Sequence, residues 1–140
     1  KPMRSLHALL IGLLVACGNA VHAEVVVVTS ARSGPIELTR EQAEKLYLGR
    51  STTLGDGTPV KLVDLPNGAT RDEFYLKLTN KNPAQIVAYR SRLVFNGRAT
   101  PPIEADNVGE ARQWLAETPN LIGYLERSEP TQGLRILLMM

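Results

Sequence analysis

The residues whose types and spacing could do chemistry lie between Pro59 and Tyr75. An apolar run over 60–63 favours a strand, and 64–68 contains the Pro, Asn and Gly residues that are typical of a tight turn. Thr70 and Glu73 follow with the spacing of a helix capping box. A strand, a small-residue turn and a helix start direct backbone N–H groups and the positive end of a helix dipole at one point, where oxyanions bind. The unit predicts an oxyanion site, although a connection without a ligand has the same pattern.

Histidine and cysteine are confined to the first part of the sequence, and this excludes whole classes of chemistry. The sequence has one Cys, Cys17, and two His, His7 and His22. The remainder cannot form a Ser-His or Cys-His nucleophilic pair, a thiol redox centre, or a zinc or copper site built on those residues. We therefore expect no enzymatic activity, no cofactor and no metal site.

The N-terminal segment 1–23 has the pattern of a secretory signal peptide. Arg4 precedes an apolar run over 6–16 that is too short to span a bilayer, and Val21 and Ala23 have the spacing of a signal-peptidase site. We expect residues 24–140 to form one exported, periplasmic domain. A second interpretation stays open, because 14–17 resembles a bacterial lipobox, in which Cys17 would be lipidated and would attach the protein to a membrane.

The charge of the predicted domain is close to zero. The sequence has 16 Lys and Arg residues and 14 Asp and Glu residues, a formal net charge of +2. Lys1 and Arg4 lie in the predicted leader, so the domain has 14 residues of each sign. A neutral domain gives no electrostatic basis for binding nucleic acid or a membrane surface. We expect neither as a partner of the domain itself.

The pattern after the leader is typical of strands and helices that follow one another closely. Strands are expected over 24–29, 60–63, 121–125 and 134–138, and helices over 39–49, 70–80, 82–95 and 107–119. The run 24–29 is strongly apolar and predicts a strand buried on both faces, as in a parallel sheet. The order β-α-β-α-α-α-β-β predicts an α/β fold with a mixed sheet flanked by helices.

Four separated stretches of the sequence match a known family in the family's order. They are LTREQAEKLYLGR (38–50), GDGTPVKLVD (55–64), NGATRDEF (67–74) and WLAETPNLIGYL (114–125). Together they resemble the phosphate-type periplasmic substrate-binding proteins of ABC transporters, especially their small single-lobe relatives. The resemblance implies a single lobe of a type 2 periplasmic-binding-protein-like fold. In full-length members, two lobes close around an oxyanion.

The family's phosphate-binding turn, close to G-S-G-T-R, falls at 67–71 of this sequence. The resemblance implies that phosphate or a related oxyanion is bound by five residues: Asn67, Gly68, Ala69, Thr70 and Arg71. Gly68 stands where the family has a serine, so that hydroxyl is lost. The arginine that commonly precedes the turn is Asp64 here, and Asp72 and Glu73 add negative charge to the first helical turn. These departures weaken the site relative to the family.

Two functions remain open from the sequence. The first is a periplasmic solute-binding-protein-like domain that binds phosphate or a related oxyanion, with an ABC permease or another envelope protein as its partner. The alternative is an accessory module of the envelope that keeps the lobe fold and binds a protein partner. Arg90, Arg92 and Arg98 are expected to form a solvated helix face, and Trp114 is expected in the core.

Overall fold

The computed structural model describes residues 24–97 and 101–140. The predicted leader with Cys17, and Arg98, lie outside these residues. Strands and helices follow one another as β1 (Val25–Ser30), α1 (Arg40–Tyr47), β2 (Lys61–Asp64), α2 (Ala69–Thr79), α3 (Pro83–Phe95), β3 (Ile103–Glu104), α4 (Val108–Glu117), β4 (Leu121–Glu126) and β5 (Leu134–Met139). Each helix in the described residues is too short or too polar to serve as a membrane-spanning segment.

The strands form a mixed sheet in the order β3-β2-β4-β1-β5. β2 runs parallel to β3 and β4, whereas β1 runs antiparallel to β4 and β5. The predicted α/β fold with a mixed sheet flanked by helices is confirmed. The parallel pairing expected for β1 is wrong. Its six residues are all buried because the strand lies inside the sheet, and an apolar run does not encode strand direction.

Side-chain caps start α1 and α3 as the sequence predicts. Thr39 accepts a hydrogen bond from the Gln42 N–H, and the Gln42 side chain accepts one from the Thr39 N–H, which completes a capping box. Asn82 accepts from the Gln85 N–H, and Pro83 occupies the first helical position. These caps satisfy N–H groups that have no partner within the helix.

The start of α2 differs from the prediction. The expected Thr70–Glu73 capping box is wrong, because Gly68 is the N-cap and Thr70 already lies inside the helix. The N–H of Asp72 donates to the Gly68 carbonyl at 3.0 Å, which is the first hydrogen bond of the helix. Gly68 has no side chain, and this helix start has no capping side-chain hydrogen bond.

Two further features of the fold are not predicted by the sequence pattern. β3 has two residues, which pair with Val63 and Asp64 of β2, and so short a strand has no readable periodicity. Near the end of α3, Val94 is 45% exposed and Phe95 beside it is 91% exposed, although both are apolar. Ile86 is the buried residue of α3, so this helix packs on the domain over a narrow stripe.

Aromatic rings form the part of the core that supports α2. Tyr47, Phe74 and Tyr124 are fully buried. The rings of Phe74 and Tyr124 stack with their centroids 3.7 Å apart, and Tyr47 meets both rings edge-on. Because Phe74 belongs to α2 and Tyr124 to β4, this cluster fixes the helix on the sheet. Trp114, which was expected in the core, is half-buried and packs against the edge of the core.

Candidate functional site

The N-terminus of α2 presents backbone donors at the turn that follows β2. Because Asp72 donates the first hydrogen bond of the helix, the N–H groups of Ala69, Thr70 and Arg71 precede it. With Gly68 as the N-cap, no side chain caps this end of the helix. The geometry therefore combines backbone donors with the positive dipole end of an 11-residue helix at an exposed turn.

The turn opens into a pocket of about 550 Å³ between the starts of α2 and α3. Asn67, Gly68 and Asp72 line one side of it. The other side is formed by small and apolar residues of α3: Pro83, Ala84, Val87 and Ala88. The other three predicted site residues, 69–71, do not line this pocket. The Asp72 carboxylate is a negative charge that opposes an anion bound there.

The guanidinium of Arg71 is directed into the domain. It donates to the Leu65 carbonyl at 3.1 Å and lies 3.4 Å from the Glu104 carboxylate and 3.6 Å from the Asp64 carboxylate. The side chain is 15% exposed. Arg71 therefore has two internal carboxylate partners, and an external anion would compete with both of them for its charge.

Asp64, the last residue of β2, is a buried carboxylate surrounded by donors. Oδ2 accepts hydrogen bonds from the Tyr75 hydroxyl at 2.7 Å and from the Arg90 guanidinium at 2.9 Å. Oδ1 accepts one from the Tyr124 hydroxyl. Arg71 adds a second guanidinium on the Oδ2 side. Charge-assisted hydrogen bonds of this kind stabilise a charge whose burial alone would be strongly unfavourable.

Arg90 belongs to the buried cluster around Asp64, a role that the sequence interpretation misses. Its guanidinium donates to the Tyr47 carbonyl at 3.0 Å and lies 4.8 Å from the centre of the Tyr75 ring. The predicted solvated face is wrong for Arg90, whereas Arg92 is exposed as expected. The spacing from buried Ile86 could have indicated the inward direction, since residues four apart share a helix face.

Burial keeps the tyrosines of this cluster protonated. It is the largest cause of the raised pKa of Tyr47, Tyr75 and Tyr124. The charge of the nearby Asp64 carboxylate raises the pKa of Tyr75 and Tyr124 further. A tyrosine that stays protonated remains a hydrogen-bond donor, and two of these three hydroxyls donate to Asp64.

We expect the free energy of unfolding to fall steeply in alkaline solution. The three tyrosines have a higher pKa in the folded chain than in the unfolded chain, so their contribution to stability is fully present below about pH 10 and is lost above it. Each tyrosine that ionises only on unfolding lowers the free energy of unfolding by about 1.4 kcal/mol per pH unit. Urea titrations at increasing pH measure the slope, which Tyr124→Phe should reduce. A constant free energy up to about pH 11 would contradict this account.

Two other features of the described residues limit where an oxyanion site can lie. A largely apolar pocket of about 330 Å³, lined by Leu46, Val60, Leu62 and Ile103 among others, contains none of the predicted site residues. Within 24–97 and 101–140, no three His, Cys, Asp or Glu side chains come together as metal ligands would. The turn at the start of α2 therefore remains the candidate site.

The architecture defines the class of fold. A five-stranded mixed sheet flanked by helices, with a turn that leads from β2 into α2, is a single lobe of the periplasmic-binding-protein-like fold of substrate-binding proteins.

Comparison with solved structures finds this lobe in two proteins described as parts of phosphate ABC transport systems and in a protein described as PstS. A phosphate ABC transporter substrate-binding protein from Clostridium perfringens, with bound phosphate, matches 83% of this chain with a TM-score of 0.63 at 18% identity. An ABC-type phosphate transport receptor from Vibrio cholerae matches 83% with a TM-score of 0.62 at 13% identity. PstS from Borrelia burgdorferi matches 82% with a TM-score of 0.58 at 18% identity. Identities this low show a shared fold.

The chain spans less than half of these structures. It covers 45% of the Clostridium protein and 47% of each of the other two. No family model matches the sequence, and no curated protein matches it. The comparisons therefore support the lobe fold.

Proposed function

We propose that the protein is an exported solute-binding lobe that binds phosphate or a related oxyanion through Asn67, Gly68, Ala69, Thr70 and Arg71. The observation that supports this most is the uncapped N-terminus of α2, at the turn where the family resemblance places the phosphate. The same lobe fold occurs in a substrate-binding protein that was solved with bound phosphate. Gly68 lacks the hydroxyl of the family's serine, but backbone N–H groups and a helix dipole can bind phosphate without it.

The charges around the turn set the expected affinity. The Arg71 guanidinium is shared with Asp64 and Glu104, and Asp72 brings a negative charge to the pocket. An open lobe also leaves the bound anion in contact with water, where each electrostatic contact contributes little. We expect a dissociation constant on the order of 1 mM for the lobe alone, and a lower value where a second lobe or protomer covers the turn.

The partners and location of the protein follow from this role. A periplasmic solute-binding lobe would deliver its anion to an ABC permease or to another envelope protein. Export would depend on the predicted signal 1–23, and lipidation at Cys17 would be the alternative way to hold the lobe at a membrane. The alternative function, an accessory module that binds a protein, gains no support from the solved structures, which are described as solute receptors.

Calorimetric titration with phosphate, and then with sulfate, tests the proposed site. Ala69→Pro is the informative variant, because proline is accepted at the first helical position but removes one N–H donor from the turn. Arg40→Pro is the control for the backbone change, since it also removes an N–H at the first position of a helix, α1, together with the Arg40 side chain. We expect Ala69→Pro to weaken phosphate binding at least about fivefold and Arg40→Pro to leave it unchanged. Absence of binding at about 10 mM phosphate, or equal weakening by both variants, would overturn the proposal.

Removing the negative charge beside the turn should strengthen binding. Asp72→Asn is expected to tighten phosphate binding about fivefold, since unit charges about 4 Å apart in water interact by about 1 kcal/mol. The control is Glu41→Gln, which removes an acidic residue from the first turn of α1. Arg40 in that helix donates to the Lys77 carbonyl near the far end of α2, so Glu41 lies away from the turn. Unchanged or weaker binding by Asp72→Asn in the same titration would place the anion elsewhere.

A further inference from the structure

A pocket of about 330 Å³ lies beside the start of β2, on the side of the sheet that β3 occupies. β3 pairs with the end of β2, at Val63 and Asp64. Among the described residues, no strand pairs with the outer edge of Lys61 and Leu62, and the pocket borders the chain there. Since the α2 turn follows the other end of β2, the pocket is separate from the proposed oxyanion site.

The wall of this pocket is mainly apolar. Leu46 is 3% exposed whereas Ile103 is 50% exposed, so the pocket extends from the core to the surface. Six of its ten lining residues are apolar: Leu46, Val60, Leu62, Pro101, Pro102 and Ile103. Water against such a wall has few hydrogen-bond partners, and a hydrocarbon group that displaces it gains free energy from the hydrophobic effect. The wall therefore favours an occupant with a hydrocarbon part.

The volume of the pocket limits the kind of occupant. A single turn of α-helix, about 10 Å wide and about 5.4 Å high, fills about 420 Å³. This is more than the pocket holds. Small-molecule sites commonly have volumes of about 300 to 1,000 Å³. The pocket is therefore at the lower end of this range, and it fits a small molecule but not a helix of another protein.

Lys61 is the charged residue of the pocket. No other lining residue is ionisable, so the wall has one positive charge and no carboxylate. The Lys61 side chain is exposed, and no carboxylate within 24–97 and 101–140 forms an ion pair with it. A lysine stem can lie along an apolar wall while its ammonium group stays in water. A single cation beside an apolar wall matches a ligand with one negative charge and a hydrocarbon part.

We propose that this pocket binds an aliphatic monocarboxylate, with its hydrocarbon chain against the apolar wall and its carboxylate beside the Lys61 ammonium. A neutral ligand of the same length would gain from the wall alone, and an aliphatic amine would meet the like charge of Lys61. The site does not depend on the proposed oxyanion site, since none of the residues 67–71 lines this pocket. Titrations with phosphate and with a carboxylate can therefore fail separately.

Calorimetric titrations with octanoate, octanol and octylamine at about pH 7.5, where the acid and the amine are both charged, test the role of Lys61. We expect octanoate to bind about fivefold more tightly than octanol, and octylamine about fivefold more weakly, as for unit charges about 4 Å apart in water. Lys61→Glu should reverse this order. Lys81→Glu, the same charge change at a lysine that does not line the pocket, is the matched control and should keep the order. Equal affinities, or an order that Lys61→Glu leaves unchanged, would exclude a carboxylate site here.

Chain length and Ile103 test the apolar wall. From butyrate to octanoate, the affinity should rise about fourfold for each methylene that the pocket buries. Ile103→Thr keeps a β-branched residue in β3 and should weaken octanoate and octanol binding alike, by about fivefold. Ile136→Thr makes the same change in β5, at a residue that is 44% exposed, and should leave both affinities unchanged. An affinity that does not depend on chain length would contradict the assignment of the hydrocarbon chain to this wall.

Amide NMR spectra recorded during the octanoate titration locate the ligand. We expect saturable shifts at Gly49 and Leu62, with little change at Gly68 of the α2 turn. Shifts of similar size at exposed apolar residues elsewhere, such as Val87 and Met139, would mean that octanoate binds apolar surface in general, and this would overturn the proposal. Absence of binding up to about 5 mM octanoate would overturn it as well.

Discussion

Asp64→Ala is expected to lower the free energy of unfolding by about 3–5 kcal/mol, because it removes the acceptor for a buried guanidinium. In the folded chain, the Arg90 guanidinium and the Tyr75 and Tyr124 hydroxyls donate to this carboxylate. After the substitution they would be left without that acceptor in the interior, and the unpaired charge of Arg90 would account for most of the loss.

Urea unfolding of Asp64→Ala and Glu104→Ala measures this effect against a matched control. Both variants remove a carboxylate near Arg71, but the Glu104 side chain is 56% exposed whereas that of Asp64 is 3% exposed. An exposed ion pair contributes at most about 1 kcal/mol. If the two variants lost equal stability, Asp64 would not be the centre of the buried cluster.

Phe74→Ala should also lower the free energy of unfolding by about 3–5 kcal/mol. The Phe74 ring, on the inner face of α2, is fully buried. It stacks on the Tyr124 ring with the two centroids 3.7 Å apart. Its removal leaves a cavity between the helix and β4 and loosens the aromatic cluster that positions the candidate site.

Leu76→Ala is the control for Phe74→Ala, since Leu76 lies on the same helix but is 49% exposed. We expect this variant to lose less than about 1 kcal/mol in the same urea titrations. Similar losses for the two variants would mean that α2 is not fixed on the sheet through Phe74.

Local patterns predict most of the fold. Apolar runs identify β1, β2, β4 and β5, and the residues Thr39, Asn82 and Asn107 mark the starts of their helices, where each side chain accepts a hydrogen bond from the N–H three residues later. Local patterns do not show whether two paired strands run parallel or antiparallel. β1 is buried on both faces in an antiparallel setting, and β3 is too short to be recognised.

The sequence predicts the turn and helix start that the proposed site uses, but it does not predict the charges around them. The sequence locates the turn at 67–71, and the structure places an uncapped helix start there. It does not reveal that Asp64 contacts Arg90, 26 residues away, and Tyr124, 60 residues away. Such contacts depend on how β2, α3 and β4 pack together. The spacing of residues that are neighbours in the sequence does not predict this packing.

The position of Asp64 explains why the proposed site would rely on backbone groups. The family resemblance places an arginine there, and this chain has instead a carboxylate that engages Arg71 and Arg90 from elsewhere in the fold. The carboxylates of Asp64 and Glu104 together therefore offset the charges of both guanidinium groups. The proposed binding of an anion then depends chiefly on the N–H groups at the start of α2.

Amide NMR spectra recorded during a phosphate titration test the central claim most directly. We predict saturable shifts of the Gly68, Ala69 and Thr70 amides, with little change at Val108 and Gly109, which form the start of α4 and serve as an internal control. Shifts of equal size at both helix starts, or none at α2 up to about 10 mM phosphate, would contradict the assignment of the oxyanion site to this turn.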